Sequence, residues 1–128
     1  MNVNRIIGEV EGKFTGGTTV FIAGLHGNEP AGVKALKTLM AELSKEREIF
    51  GKVICLAGNI AALKENQRYL DEDLNRIWTK DHLQSLTAGD RTTAERCEMA
   101  DLFTILTNIL ETAPRPLYFI DLHTVSVE

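Results

Sequence analysis

Thr18-Thr19-Val20-Phe21-Ile22-Ala23-Gly24-Leu25-His26-Gly27-Asn28-Glu29-Pro30 is the stretch that decides the architecture. Its first six residues are β-branched, aromatic or small, the composition of a strand buried on both faces. Gly24 ends the run. Pro30 suits the first turn of a helix, where its missing N–H is no loss. Between strand and helix stand His26 and Glu29, three residues apart. The same grammar recurs further along. Lys52 to Ala57 (Lys-Val-Ile-Cys-Leu-Ala) reads as a second buried strand, and Leu117 to Leu122 (Leu-Tyr-Phe-Ile-Asp-Leu) as a last one, with His123 directly after it. Residues 5–10 read as a first strand at a sheet edge, and Gly12, Gly16 and Gly17 as turn markers. Val33, Leu36, Met40 and Leu43 form a helical stripe that Gly51 is expected to close. Asn59 is expected to cap a short helix through Glu65. Thr92 and Glu95 have capping-box spacing ahead of a longer stripe, Met99, Leu102, Phe103, Leu106, Ile109 and Leu110, which Pro114 and Pro116 end. Residues 66–91 are polar and without strong periodicity, and read as a long loop of the functional or mobile kind.

Strands alternating with helices predict an α/β fold: a mixed, largely parallel sheet with helices on both faces. Ligands of such sheets gather beyond the carboxyl ends of the strands, and both histidine segments follow predicted strands. The 128 residues suffice for a single domain, residues 1–128, with a core of its own. A net charge of −4 gives no reason to expect a nucleic acid or an anionic membrane as partner. No apolar run is long enough to span a bilayer, and the N-terminus shows no signal-peptide pattern. Cys55 lies in an apolar run and Cys97 in a helical pattern. Both read as small core residues in a reducing compartment, so a cytoplasmic location is expected. Oligomeric state is not legible.

A close pair of ligands plus one distant one is how a catalytic zinc is usually assembled, with the fourth position open. His26, Glu29 and His123 have that layout. Two imidazole nitrogens and one carboxylate suit zinc better than calcium or magnesium, which prefer oxygen alone.

The segments His26-Gly27-Asn28-Glu29, Arg68-Tyr69 with Asp73-Leu74-Asn75-Arg76, and Asp121-Leu122-His123 occur in the order and at the spacing of the succinylglutamate desuccinylase/aspartoacylase family. This family is a branch of the zinc carboxypeptidase-like hydrolases, and the chain resembles it over nearly its whole length. The resemblance implies one zinc ion per chain held by His26, Glu29 and His123. It implies that Arg68 addresses the scissile carbonyl and its oxyanion, and that Asn75 and Arg76 hold a substrate carboxylate. Asp73 would orient a ligand histidine, His26 being the expected one. The implied reaction removes an acyl group from an N-acyl amino acid, so the implied partner is a small acylated amino acid with a free carboxylate. The family also uses a glutamate base well downstream of its last metal ligand. Only five residues follow His123 here, and Glu128 has no matching context. The chain is therefore expected to be the N-terminal part of a zinc-dependent hydrolase catalytic domain, incomplete at its C-terminus and inactive alone.

Plainer readings stand beside these. His26 to Glu29 could be a simple strand-to-helix turn, with Glu29 complementing the helix dipole. Asp73 could be an ordinary cap, and Arg68, Asn75 and Arg76 a solvated turn. Tyr69 and Trp78 read as packing residues that pin the loop, and His82 as a surface residue. Two other functional classes are open. One is a metal-binding domain that has lost catalysis. The other is a nucleotide-binding module, for which residues 27–34 lack the required lysine after the second glycine and the hydroxyl after it.

Overall fold

The computed structural model describes residues 1–125. Four strands form one sheet: β1 (Ile6–Glu11), β2 (Phe14–Ala23), β3 (Phe50–Ala57) and β4 (Leu117–Leu122), in the order β1-β3-β2-β4. β1 runs antiparallel to β3, while β2 is parallel to both β3 and β4. The sheet is thus mixed and largely parallel, with β1 at one edge.

Side-chain alternation explains why both faces are covered. Val20 and Ile22 of β2 join Ile54 and Leu56 of β3 in one apolar cluster. Ala23 of β2 joins Cys55 and Ala57 of β3 in the other. A strand with period-two side chains and apolar residues at every position must be buried on both sides. Helices α1 (Ala31–Leu43) and α2 (Ile60–Glu65) supply Val33, Leu36 and Leu63 to the second cluster. Helices α3 (Lys80–Thr87) and α4 (Ala94–Thr112) supply Leu86, Met99, Leu102 and Ile109 to the first. A single 3-10 turn, Leu74–Arg76, adds the buried Leu74 to that face.

The chain leaves β2 through α1 to reach β3 on one side, and later returns through α4 to β4 on the other. The crevice beyond the carboxyl ends of β2 and β4 is therefore a topological switch point, where open α/β sheets bind ligands. Ala23 and Leu122 are register partners at that end, which brings the segments after them together.

Several expectations need correcting. β2 begins at Phe14, so Gly16 and Gly17 lie within a strand and mark no turn; Phe14 pairs with Phe50 and Thr18 with Lys52, with an irregularity between. α1 stops at Leu43, and Gly51 belongs to β3. Residues 44–48 are all exposed and offer no apolar stripe to carry the helix on. Residues 66–91 are not one irregular loop: Thr79 caps α3 by accepting from the His82 amide, and Leu83 and Leu86 turn it onto the core. The cap of α4 is Thr93, whose hydroxyl accepts from the Arg96 amide at 3.1 Å. Glu95 is buried instead of reaching back. Cys97 is exposed on α4, whereas Cys55 is in the core, where burial pushes its thiol pKa up to about 11. Asn59 caps α2 as expected, its side chain accepting from the Ala62 amide. His82, expected at the surface, is half-buried on α3, with Nδ1 2.6 Å from the Thr79 hydroxyl.

Candidate metal centre

Two glycines shape the turn that carries His26 and Glu29. Gly24 sits at φ +73°, a left-handed conformation that other residues adopt only under strain. A Cβ on Gly27 would lie 2.1 Å from the Ala62 carbonyl carbon, so only glycine fits. The Gly27 amide donates to the Arg68 carbonyl at 3.1 Å, which ties this turn to the loop bearing the candidate substrate residues.

The sequence places His26, Glu29 and His123 far apart, and the fold brings them together. One ligating atom from each lies within 4.8 Å of the others. The two imidazoles meet edge to face, with centroids 5.0 Å apart. His26 is buried, with Nδ1 3.2 Å from Glu29 Oε1 and Nε2 3.0 Å from Asp73 Oδ1. The other Glu29 oxygen accepts from the Thr124 amide at 2.9 Å. His123 Nδ1 lies 2.7 Å from Asp121 Oδ2.

The donor set fits a cation. A neutral imidazole has one N–H to offer, yet His26 faces carboxylates through both nitrogens. With its proton on Nε2 towards Asp73, Nδ1 presents a lone pair beside Glu29. On His123 the proton belongs on Nδ1 towards Asp121, leaving Nε2 as the donor atom. Such outer carboxylates fix the tautomer and raise the basicity of ligating histidines.

Asp73 is the hub of the polar residues. It accepts from the Asn75 amide at 2.9 Å, so it both caps the 3-10 turn and meets His26. Arg68 Nη2 and Arg76 Nε each lie 3.7 Å from its other oxygen. The Arg76 side chain is 80% exposed and that of Arg68 40%, so both stand at the rim and not in the core. Burial pushes the Asp73 carboxyl pKa up, but hydrogen bonds from His26 and the Asn75 amide and the charge of Arg68 outweigh it, and the net shift is downward. Glu29 follows the same pattern: burial raises it, and the Thr124 and His26 hydrogen bonds carry it below the usual carboxylate value. Asn75 is exposed, and with Leu25, Trp78, Phe119 and Asp121 it borders an apolar hollow beside the site. Trp78 packs against the core as expected, whereas Tyr69 is 41% exposed.

Three participants escaped the sequence reading. Asp121 was legible in principle, because residues i and i+2 around a strand end share a face. The Thr124 amide is a backbone group and leaves no sequence signal. Glu95 was assigned to a helix cap. Glu128, the terminal carboxylate, lies outside the described residues. The nucleotide reading loses ground here: Glu29, buried and held below its usual pKa, puts negative charge at the turn where phosphates would have to sit. Among the described residues no helix is long and apolar enough to cross a membrane.

Fold and site together define an α/β architecture with a His-Glu-His cluster that could hold a metal ion at the crevice beyond its parallel strands. The profile of the Succinylglutamate desuccinylase/Aspartoacylase catalytic domain matches residues 15–127, and the chain belongs to that family. A succinylglutamate desuccinylase of Photorhabdus laumondii is 34% identical over 107 residues, covering 82% of this chain and 32% of that protein. The solved structure of a succinylglutamate desuccinylase/aspartoacylase from Rhodobacter sphaeroides is 28% identical with a TM-score of 0.63, over 91% of this chain and 32% of that one. The succinylglutamate desuccinylase of Chromobacterium violaceum shares the fold at a TM-score of 0.71 and 21% identity, over 90% of this chain and 35% of that one. The chain thus spans about a third of the length of these relatives.

Proposed function

We propose that this chain is the metal-ligand portion of a zinc-dependent hydrolase that removes the acyl group from an N-acyl amino acid. The observation that carries the reading is the convergence of His26, Glu29 and His123, with Asp73 and Asp121 each against one nitrogen of an imidazole. Zinc held there would lower the pKa of water and polarise a carbonyl. Arg68 is assigned to the scissile carbonyl, where a fixed cation stabilises developing negative charge. Arg76 and Asn75 are assigned to the substrate carboxylate, since a guanidinium fork matches a carboxylate with two parallel hydrogen bonds. Asp73 holds both arginines and His26 in one network, so ligand orientation and substrate contact share a support. The two free thiols agree with a reducing, cytoplasmic setting.

Residues 1–128 are proposed as the N-terminal portion of one catalytic domain. The relatives' greater length supports this, as does β4, whose Tyr118, Phe119 and Ile120 are 58%, 55% and 40% exposed. A six-residue edge strand with five apolar residues invites further strands.

The test compares this chain with a protein extended to the relatives' full length, at equal zinc occupancy, on succinyl-glutamate and acetyl-aspartate. The extended protein is expected to hydrolyse one of them and to lose activity on chelation. The 128-residue chain is expected to be slower by at least the ~10²–10⁴-fold that a positioned base contributes. A zinc-loaded extended protein inactive on both substrates would favour a metal-binding domain without catalysis.

A further inference from the structure

Glu95 has no exposed surface, and its carboxylate accepts four hydrogen bonds. Oε1 takes the Asn59 side-chain amide at 2.9 Å and the Leu70 amide at 2.8 Å. Oε2 takes the amides of Asp71 and Glu72 at 3.0 and 3.2 Å. Three successive backbone N–H groups converging on one anion form an anion-binding concavity, here filled by the protein's own side chain. The neighbouring residues of α4 grip the same segment. Arg96 Nε and the Thr93 hydroxyl donate to Glu72 Oε1 at 2.8 and 2.7 Å, and the Ala94 amide donates to Asp71 Oδ2 at 2.8 Å. Directly beyond this segment comes Asp73, on His26; two residues before it comes Arg68, whose carbonyl holds Gly27.

We propose that Glu95 is a positioning residue of the metal centre: by fixing residues 70–72 to α4 it sets Asp73 against His26 and places Arg68 and Arg76 around Asp73. The inference rests on the metal-centre reading above. Glutamine is nearly isosteric but a poor replacement. It has one oxygen and an NH₂, so in either orientation two of the four donors face another donor.

The experiment uses the 128-residue chain and two readouts, zinc affinity and the emission of Trp78. Trp78 is the one tryptophan of the chain and lies two residues beyond Arg76. Glu95→Gln is compared with Leu36→Ala, a core change on the opposite face of the sheet, both at a temperature where circular dichroism shows them folded. Glu95→Gln is expected to weaken zinc binding about tenfold, the lower end of the 10–100-fold seen when partners of metal ligands are lost. Trp78 emission should move to longer wavelength. Leu36→Ala should leave both unchanged. Glu95→Asp, which keeps the charge on a shorter stem, should fall between wild type and Glu95→Gln, and it stands in should Glu95→Gln not fold. Wild-type affinity and emission in the Glu95 variants, or changes matched by Leu36→Ala, would overturn the proposal. If the wild type binds no zinc, the metal-centre reading fails by itself, and the emission comparison alone decides whether Glu95 sets the loop.

Discussion

His26 and Glu29 are 3% and 8% exposed, set on a turn that two glycines and the Arg68 carbonyl hold in place. His123 sits beyond the last strand, its side chain 31% exposed, with Asp121 as its partner. The two halves of the site are thus built to different standards. The turn after β2 is central in the sheet, flanked by β3 and β4, and its polar groups are desolvated, so each needs a partner. The end of β4 is at an edge and can leave part of its imidazole to solvent. The first half is fixed by buried partners on several sides, whereas the His123 imidazole has Asp121 as its hydrogen-bond partner and part of its surface in solvent.

The largest difference should appear on truncating each histidine. His26→Ala removes a ligand and strips a partner from two partly or fully buried carboxylates, Glu29 and Asp73. It should cost about 1–3 kcal/mol of folding stability, the penalty for buried polar groups left unpaired, and abolish zinc binding. His123→Ala should abolish zinc binding too, yet shift stability by only about 0.5 kcal/mol, as for a surface site. Urea midpoints measured without metal separate the two; equal losses would erase the distinction between a buried and an exposed half.

Acid sensitivity sharpens the same contrast. Burial raises the Glu95 carboxyl pKa, but its hydrogen bonds from Leu70, Asn59, Asp71 and Glu72 outweigh that and carry it below the ordinary 4.5. A carboxylate depressed in the folded state contributes stability above its unfolded pKa, and that contribution is lost as pH falls through the folded value. Stability should therefore be flat near neutrality and fall from about pH 4.5 downward. Glu95→Gln should start lower and show a shallower acid slope, since one of the depressed groups is gone. An unchanged slope would mean that the carboxylate is not held as the structure has it.

Much of this was legible in the strands. The run from Thr18 to Pro30 is apolar on both faces and then abruptly polar, so strand, turn and helix could be read together with the two ligands between them. His123 was legible because it ends a second such run. α3 was not, since a helix of eight residues shows barely two turns of periodicity and Thr79, its cap, resembles any loop threonine. Glu95 misled because its spacing from Thr92 imitates a capping box, while its real partners are backbone amides some 25 positions earlier, which have no residue identity to read. The exposure of Leu110, at 56%, was equally hidden: it shares the stripe of α4, but the stripe is wider than the surface these described residues set against it.

The smallest effects are expected at the rim. Arg68→Ala and Arg76→Ala should each alter folding stability by no more than about 0.5 kcal/mol. In the extended protein Arg76→Ala should chiefly raise KM and Arg68→Ala chiefly lower kcat. Wild-type kinetics in both would make these arginines structural partners of Asp73 and nothing more.

The most direct measurement of the central claim is zinc stoichiometry, by elemental analysis of protein purified without chelators or metal-affinity resin. Wild type, His26→Ala and His123→Ala are compared side by side. One metal shared by the buried turn and the exposed strand end predicts up to one zinc per wild-type chain and none in either variant, although 97 positions separate the two histidines. Equal zinc in all three proteins would contradict it.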